Sequence, residues 1–198
     1  MMRRHLWSRV IAFPALLALA LSTGGRPAIA AEEEKDDDAE HYVVFTKDHP
    51  LGETLPDQAL VYVVRPTSMG YAIKSFFFCD DEIRGINRGS SYFFFHVAPG
   101  KHVMWSKSEN VDALELEAQA GQTYYLQQRV QMGGFRARTK LEALSRAEGE
   151  EALGKCKKHG TITDKGRDQG KEYAATLKPN VQEDLERRAR EAAEEKKK

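Results

Sequence analysis

The chain has 198 residues, with 30 Lys and Arg against 30 Asp and Glu, so its formal net charge is zero. Without the leader read below, the chain is slightly acidic, which argues against a nucleic-acid partner, whose phosphates demand clustered basic residues. The length suffices for one domain with a hydrophobic core plus tails.

Residues 1–30 read as an export signal rather than as part of the fold. Arg3, Arg4 and Arg9 precede an apolar run from Val10 to Leu21, and Ala28-Ile29-Ala30 supplies a small-x-small cleavage pattern between Ala30 and Ala31. The run is too short to span a bilayer, and no later segment reaches that length, so stable membrane insertion is not expected. Removing the segment takes four Arg and no acid, which leaves the mature chain with a formal charge of −4. The expected compartment is the periplasm or the medium.

Residues 31–56 form an acidic leader and linker. AEEEKDDDAE at 31–40 repels itself and buries nothing. His41–Phe45 suits a short accessory strand, and Pro50, Gly52 and Pro56 mark a linker.

From residue 57 to 157 the pattern is that of short strands between turns. Leu60–Arg65 is a nearly continuous apolar run, as in a strand buried on both faces, and Pro66 stops it. Tyr71–Cys79, Glu82–Asn87, Ser91–Val97 and His102–Glu109 follow, separated by Asp, Gly, Asn, Pro and Ser. Leu114, Leu116 and Ala118 alternate with Glu115, Glu117 and Gln119, which predicts one dry and one wet face. Thr123–Gln131 and Lys140–Leu144 complete the set. Ser91–Val97 and His102–Glu109 read as an antiparallel hairpin. A three-residue loop would pair Val97 with Val103, whereas an even-numbered one would pair Val97 with His102. The expectation is a mainly β protein: an antiparallel two-layer sandwich, transthyretin- or immunoglobulin-like, of about seven strands.

Residues 146–157 switch to a helical period, with Ala152, Leu153 and Cys156 on one face. Residues 158–178 read as a polar linker. Residues 179–198 read as a charged helix or disordered tail. Its pairs Glu183/Arg187, Asp184/Arg188 and Glu186/Arg190 add a few tenths of a kcal/mol each.

Consecutive strand residues point to opposite faces. If Phe77, Phe93 and Phe95 fill the core, then Phe76, Phe78, Tyr92 and Phe94 lie on the reverse side. Either the 146–157 helix covers them, or they form a partner-binding face. Cys79 and Cys156 make an even cysteine count in an oxidising compartment, which suits a disulfide, with two buried free thiols as the other reading. No acyl-transfer, zinc-protease, phosphate-loop or dinucleotide signature is present, so neither enzyme activity nor a cofactor is expected. The alternative is a hydrolytic or metal-dependent envelope enzyme using His96 and His102, which would still need a third ligand.

ALVYVVRPTS at 59–68, FFFCDDEIRGI at 76–86, SYFFFHVAPGKH at 91–102, AGQTYYLQQ at 120–128 and a helix ending Leu153-Gly-Lys-Cys156 resemble a bacterial exported family known as domain of unknown function 2846. The resemblance covers roughly residues 57–157. It implies an exported β domain without assigned activity, and members are often lipidated, although the lipid-attachment Cys is missing here. The VAPGKH turn is also similar to transthyretin-like and sugar-envelope sandwiches that bind peptides, proteins or cell-wall material. The resulting expectation is a non-enzymatic binding or structural module for a protein, peptide or envelope component.

Overall fold

A computed structural model describes residues 42–132 and 137–197. The expected signal segment, the Ala30/Ala31 cleavage point and the acidic run at 31–40 lie outside these residues. The described elements are β1 (Val43–Thr46), β2 (Ala59–Arg65), β3 (Ser75–Cys79), β4 (Glu82–Asn87), β5 (Ser91–Val97), β6 (Gly100–Lys107), β7 (Val111–Ala118), β8 (Thr123–Met132), β9 (Ala137–Leu144), α1 (Arg146–Lys155), β10 (Lys158–Ile162) and α2 (Asp164–Glu195).

The strands form two sheets, one of six in the order β1-β10-β5-β2-β8-β9 and one of four in the order β4-β3-β6-β7. The mainly β, two-sheet expectation therefore holds. Four details differ from it. There are ten described strands rather than about seven. The six-stranded sheet is mixed, because β2 runs parallel to β8 and β10 parallel to β5. All seven residues of β2 are buried, as its unbroken apolar run requires of a central strand.

The third difference concerns the Pro-Gly turn. Ser91–Val97 and Gly100–Lys107 do not form a hairpin; they belong to different sheets, so neither register considered for them applies. Val97 pairs with Ala59 of β2, and Met104 pairs with Cys79 of β3. Pro99 has no N–H to offer a ladder, and Gly100 adopts φ 134°, a value that L side chains rarely take. The chain uses these two residues to cross from one layer to the other.

Fourth, residues 158–178 are not a linker. Lys158–Ile162 inserts as β10 between β1 and β5. A single helix then runs from Asp164 to Glu195, with Thr163 as its N-cap accepting the Gly166 N–H. The charged tail is the second half of this packed helix. Of the three expected i,i+4 pairs, Asp184/Arg188 forms at 3.5 Å, while Arg187 turns to Asp184 and Glu191.

Alternation distributes the aromatics as expected. Val61, Val63, Phe77, Phe93, Met104 and Leu126 meet between the sheets, with Phe95 packed against them. Phe76 and Phe78 lie on the outer face of the four-stranded sheet beneath α2, where Phe78 stacks on Trp105 at 3.6 Å. Burying each such side chain contributes roughly 1.5–3 kcal/mol. Tyr92 and Phe94 lie on the outer face of the other sheet with Leu60, Tyr62 and Tyr125, under α1. Ser145 and Glu148 form a capping box that fixes where α1 begins.

The segment 48–53, expected as a linker, is a strap across this same outer face. Tyr92 donates its hydroxyl to the Pro50 carbonyl at 2.8 Å, and Gly52 donates its N–H to the Tyr62 hydroxyl at 2.8 Å. The four reverse-side aromatics therefore sit on two different sheets under separate covers, rather than on one face under one helix.

Candidate functional site

The two cysteines are apart and unbridged. Cys79 is buried in the inter-sheet core, and Cys156 is buried in the cluster outside the six-stranded sheet. The disulfide expectation is thus replaced by two free thiols. The Cys156 Sγ–H instead faces the carbonyls of Ser91 and Ala152, each at 3.4 Å. Burial pushes this thiol up to about 12, so it stays protonated at neutral pH.

The two histidines of the enzyme alternative are separately engaged. His96 Nε2 lies 2.7 Å from the Glu53 carbonyl, in the strap over the six-stranded sheet. His102, on β6 of the other sheet, gathers a different set of groups around the β3–β4 turn.

That turn is built on Asp80. Its φ of 55° lies in the left-handed region, which Asp tolerates better than most side chains. Every polar atom of the residue is held. Its N–H donates to the Val103 carbonyl at 2.7 Å, and its own carbonyl accepts from Trp105 Nε1 at 2.7 Å. Its Oδ1 accepts the Val103 N–H at 2.9 Å, and its Oδ2 lies 2.8 Å from His102 Nδ1. His102 Nε2 lies 2.8 Å from the Ala98 carbonyl; a carbonyl only accepts, so Nε2 carries a hydrogen. Cys79 Sγ is 3.7 Å from Asp80 Oδ2 and 3.8 Å from His102 Nδ1. A regular strand would send residues 79 and 80 to opposite faces; the left-handed backbone at Asp80 turns both toward one imidazole nitrogen.

The electrostatics follow from this packing. Burial alone would raise Asp80, but the hydrogen bonds from His102 and the Val103 N–H hold it below the usual carboxylate value. Burial opposes charge on His102 as well, yet Asp80 and the Ala98 carbonyl raise it above the ordinary imidazole value. Cys79 is pushed up to about 12 by burial and by the Asp80 carboxylate, with Arg84 working against both. The cluster is therefore not a cysteine nucleophile with its base. The thiol keeps its proton, and Asp80 occupies the same ring nitrogen that the thiol faces. Local spacing gave no sign of this meeting, because Cys79 reaches His102 only through the β3–β6 pairing.

Several concavities lie beside α2. One of about 240 Å³ adjoins the Asp80 turn, with Trp105, Val181 and Leu185 in its wall and the Lys178–Asp81 pair at 2.7 Å beside it. A larger polar cleft of about 620 Å³ lies where β7, β9 and α2 meet. There the outer edge of β9 is occupied by side chains. Thr139 N–H donates to Asn110 Oδ1 at 2.7 Å, Leu141 N–H donates to Asp112 Oδ2, and Arg188 reaches the Leu141 carbonyl at 3.0 Å. The outer edge of β7 is met in the same way by Asp184 of α2, which accepts the Ala113 N–H.

A two-sheet β domain with a held turn, and with the β7 and β9 edges capped by side chains, defines the structural class. Residues 56–140 match the family described as "Protein of unknown function (DUF2846)", which bears out the resemblance carried by the strand motifs. The chain is also similar to an uncharacterized protein of Haemophilus influenzae, at 29% identity over 97 residues, covering 48% of this chain and 57% of that protein. No solved structure matches the chain. Among the described residues, no helix is long and apolar enough to cross a membrane.

Proposed function

We propose that the chain is an exported, periplasmic and non-enzymatic module that binds an extended segment of a protein, peptide or envelope component along the outer strand β1. The observation that carries this reading is the asymmetry of the six-stranded sheet. Its outer face is covered by α1 and the 48–53 strap, and its β9 edge is capped by Asn110, Asp112 and Arg188. At the opposite edge, β1 pairs only with β10 among the described residues. Thr163 donates to the Tyr42 carbonyl, so by antiparallel alternation the backbone groups of Val43 and Phe45 point away from β10. Val44 is exposed beside them. An edge of this kind accepts a further strand through main-chain hydrogen bonds, with alternate side chains supplying selectivity. In this reading the domain works as peptide-binding transthyretin-type sandwiches do.

The test is a photo-crosslinking residue at Val44 of the protein in its own cells, with a control at exposed Glu115 on β7. An intermolecular adduct at position 44 but not at 115 supports edge binding. Equal labelling at both positions, no adduct at 44, or an adduct only to residues 31–41 of the same chain overturns it.

A further inference from the structure

We propose that Cys79, Asp80 and His102 form a binding site for a divalent transition metal of the zinc class, with three protein ligands and one position open to solvent.

Sγ of Cys79, Oδ2 of Asp80 and Nδ1 of His102 all lie within 4.8 Å of one another. A tetrahedral zinc ion with ordinary bond lengths would hold its sulfur about 3.5 Å from the nitrogen and from the oxygen, and the latter two about 3.3 Å apart. The observed separations are 3.8, 3.7 and 2.8 Å. Side-chain shifts on the order of half an ångström close the difference. Asp80 is exposed, so its carboxylate has room to make them.

The ligands are also oriented. Metal-bound histidines usually give their other ring N–H to a carbonyl or carboxylate, which fixes the tautomer. His102 does this through Nε2 and Ala98, leaving Nδ1 aimed at the other two ligand atoms. Asp80 is tied by its N–H, its carbonyl and Oδ1, leaving Oδ2. The supporting contacts that a metal site needs are thus already made.

The donor set selects the metal. A thiolate, an imidazole and a carboxylate suit zinc or cobalt(II), and do not suit magnesium or calcium, which take oxygen ligands. The thiolate and carboxylate together neutralise a dication. The nearby Arg84 guanidinium is itself paired with Glu82 at 2.7 Å. On binding, the metal takes the place of the Cys79 thiol proton and of any proton on His102 Nδ1, and what is displaced leaves to solvent as H⁺. No electron is transferred.

Cobalt(II) chloride is the probe, titrated into the purified protein and read by absorbance. The expected result is one cobalt per chain, a near-ultraviolet thiolate-to-cobalt charge-transfer band, strong visible bands of four-coordinate cobalt, and bleaching by zinc. Cys156→Ser retains the band and Cys79→Ser abolishes it. Asp80→Asn and His102→Gln weaken binding at least tenfold. If circular dichroism shows that Cys79→Ser does not fold, the His102→Gln variant decides, because that ring sits near the surface. The site is refuted by a saturated titration without the thiolate band, by a band that disappears in Cys156→Ser, or by wild-type affinity in His102→Gln.

Discussion

Asp184, two-thirds of the way along α2, accepts the backbone N–H of Ala113 in β7 at 2.8 Å. One carboxylate thereby satisfies an edge-strand donor and docks the helix, and both residues are buried. Arg187 and Arg188 flank it and also engage Asp112. Asp184→Ala leaves the Ala113 N–H and part of the guanidinium pair without acceptors. The expected loss is about 1–3 kcal/mol in urea unfolding, the usual penalty for a stranded buried donor. Asp184→Asn, which keeps an acceptor oxygen, should lose less.

Arg65 is fully buried at the end of β2 and ties down the loop that follows. Its two terminal nitrogens donate to the carbonyls of Ile73, Met69 and Gly70 at 2.7–3.0 Å. Lysine cannot reproduce this fork of donors. Arg65→Lys is expected to speed proteolysis within residues 67–74 before the rest of the domain unfolds, which limited digestion with mass spectrometry would detect.

Gly149 in α1 lies against the ring of Tyr125, where an added Cβ would overlap it. In an exposed helix, Gly→Ala stabilises by about 1 kcal/mol. Here close approach reverses the sign, and Gly149→Ala is expected to destabilise by about 1–3 kcal/mol through overpacking. Thermal melting distinguishes the two directions.

Half-buried His159 of β10 packs beside Tyr92 and Phe94. Burial lowers it below the ordinary imidazole value of 6.5, with Asp48 opposing and His49 reinforcing the shift. The unfolded chain therefore binds the proton more readily than the folded one, so this residue makes stability fall as pH drops through that range. His102 titrates in the opposite sense, so the contribution must be read as a difference. The gap in unfolding free energy between wild type and His159→Asn should shift against the wild type from pH 7.5 to about pH 5.5. A gap independent of pH would refute it.

Much of the β architecture was legible because it is local. The apolar run at Leu60–Arg65 marked a central strand, the Leu114/Leu116/Ala118 alternation marked a two-faced one, and the aromatic triplets divided between interior and exterior as the pleat demands. What was hidden depends on distant partners. Helix α2 meets the sheet through Gly166, Gly170 and Ala174 before its larger apolar residues. Small contact residues allow close packing yet score as polar linker, so half the helix was missed. The crossing at Pro99-Gly100 resembled a hairpin because turn chemistry does not reveal which sheet receives the next strand. Cys79 and His102 met for the same reason: their contact is set by the β3–β6 register, not by spacing.

The placement of β10 has a consequence for how the domain can be divided. A strand from the last quarter of the chain lies between β5 and β1, so the wider sheet closes only once both termini of the folded body have arrived. A fragment trimmed to residues 56–140, the stretch that the family model matches, would lack β10 and both helical lids, baring Phe76, Phe78 and Tyr92 to water. Such a piece would self-associate, because the matched segment is shorter than the body that buries these rings.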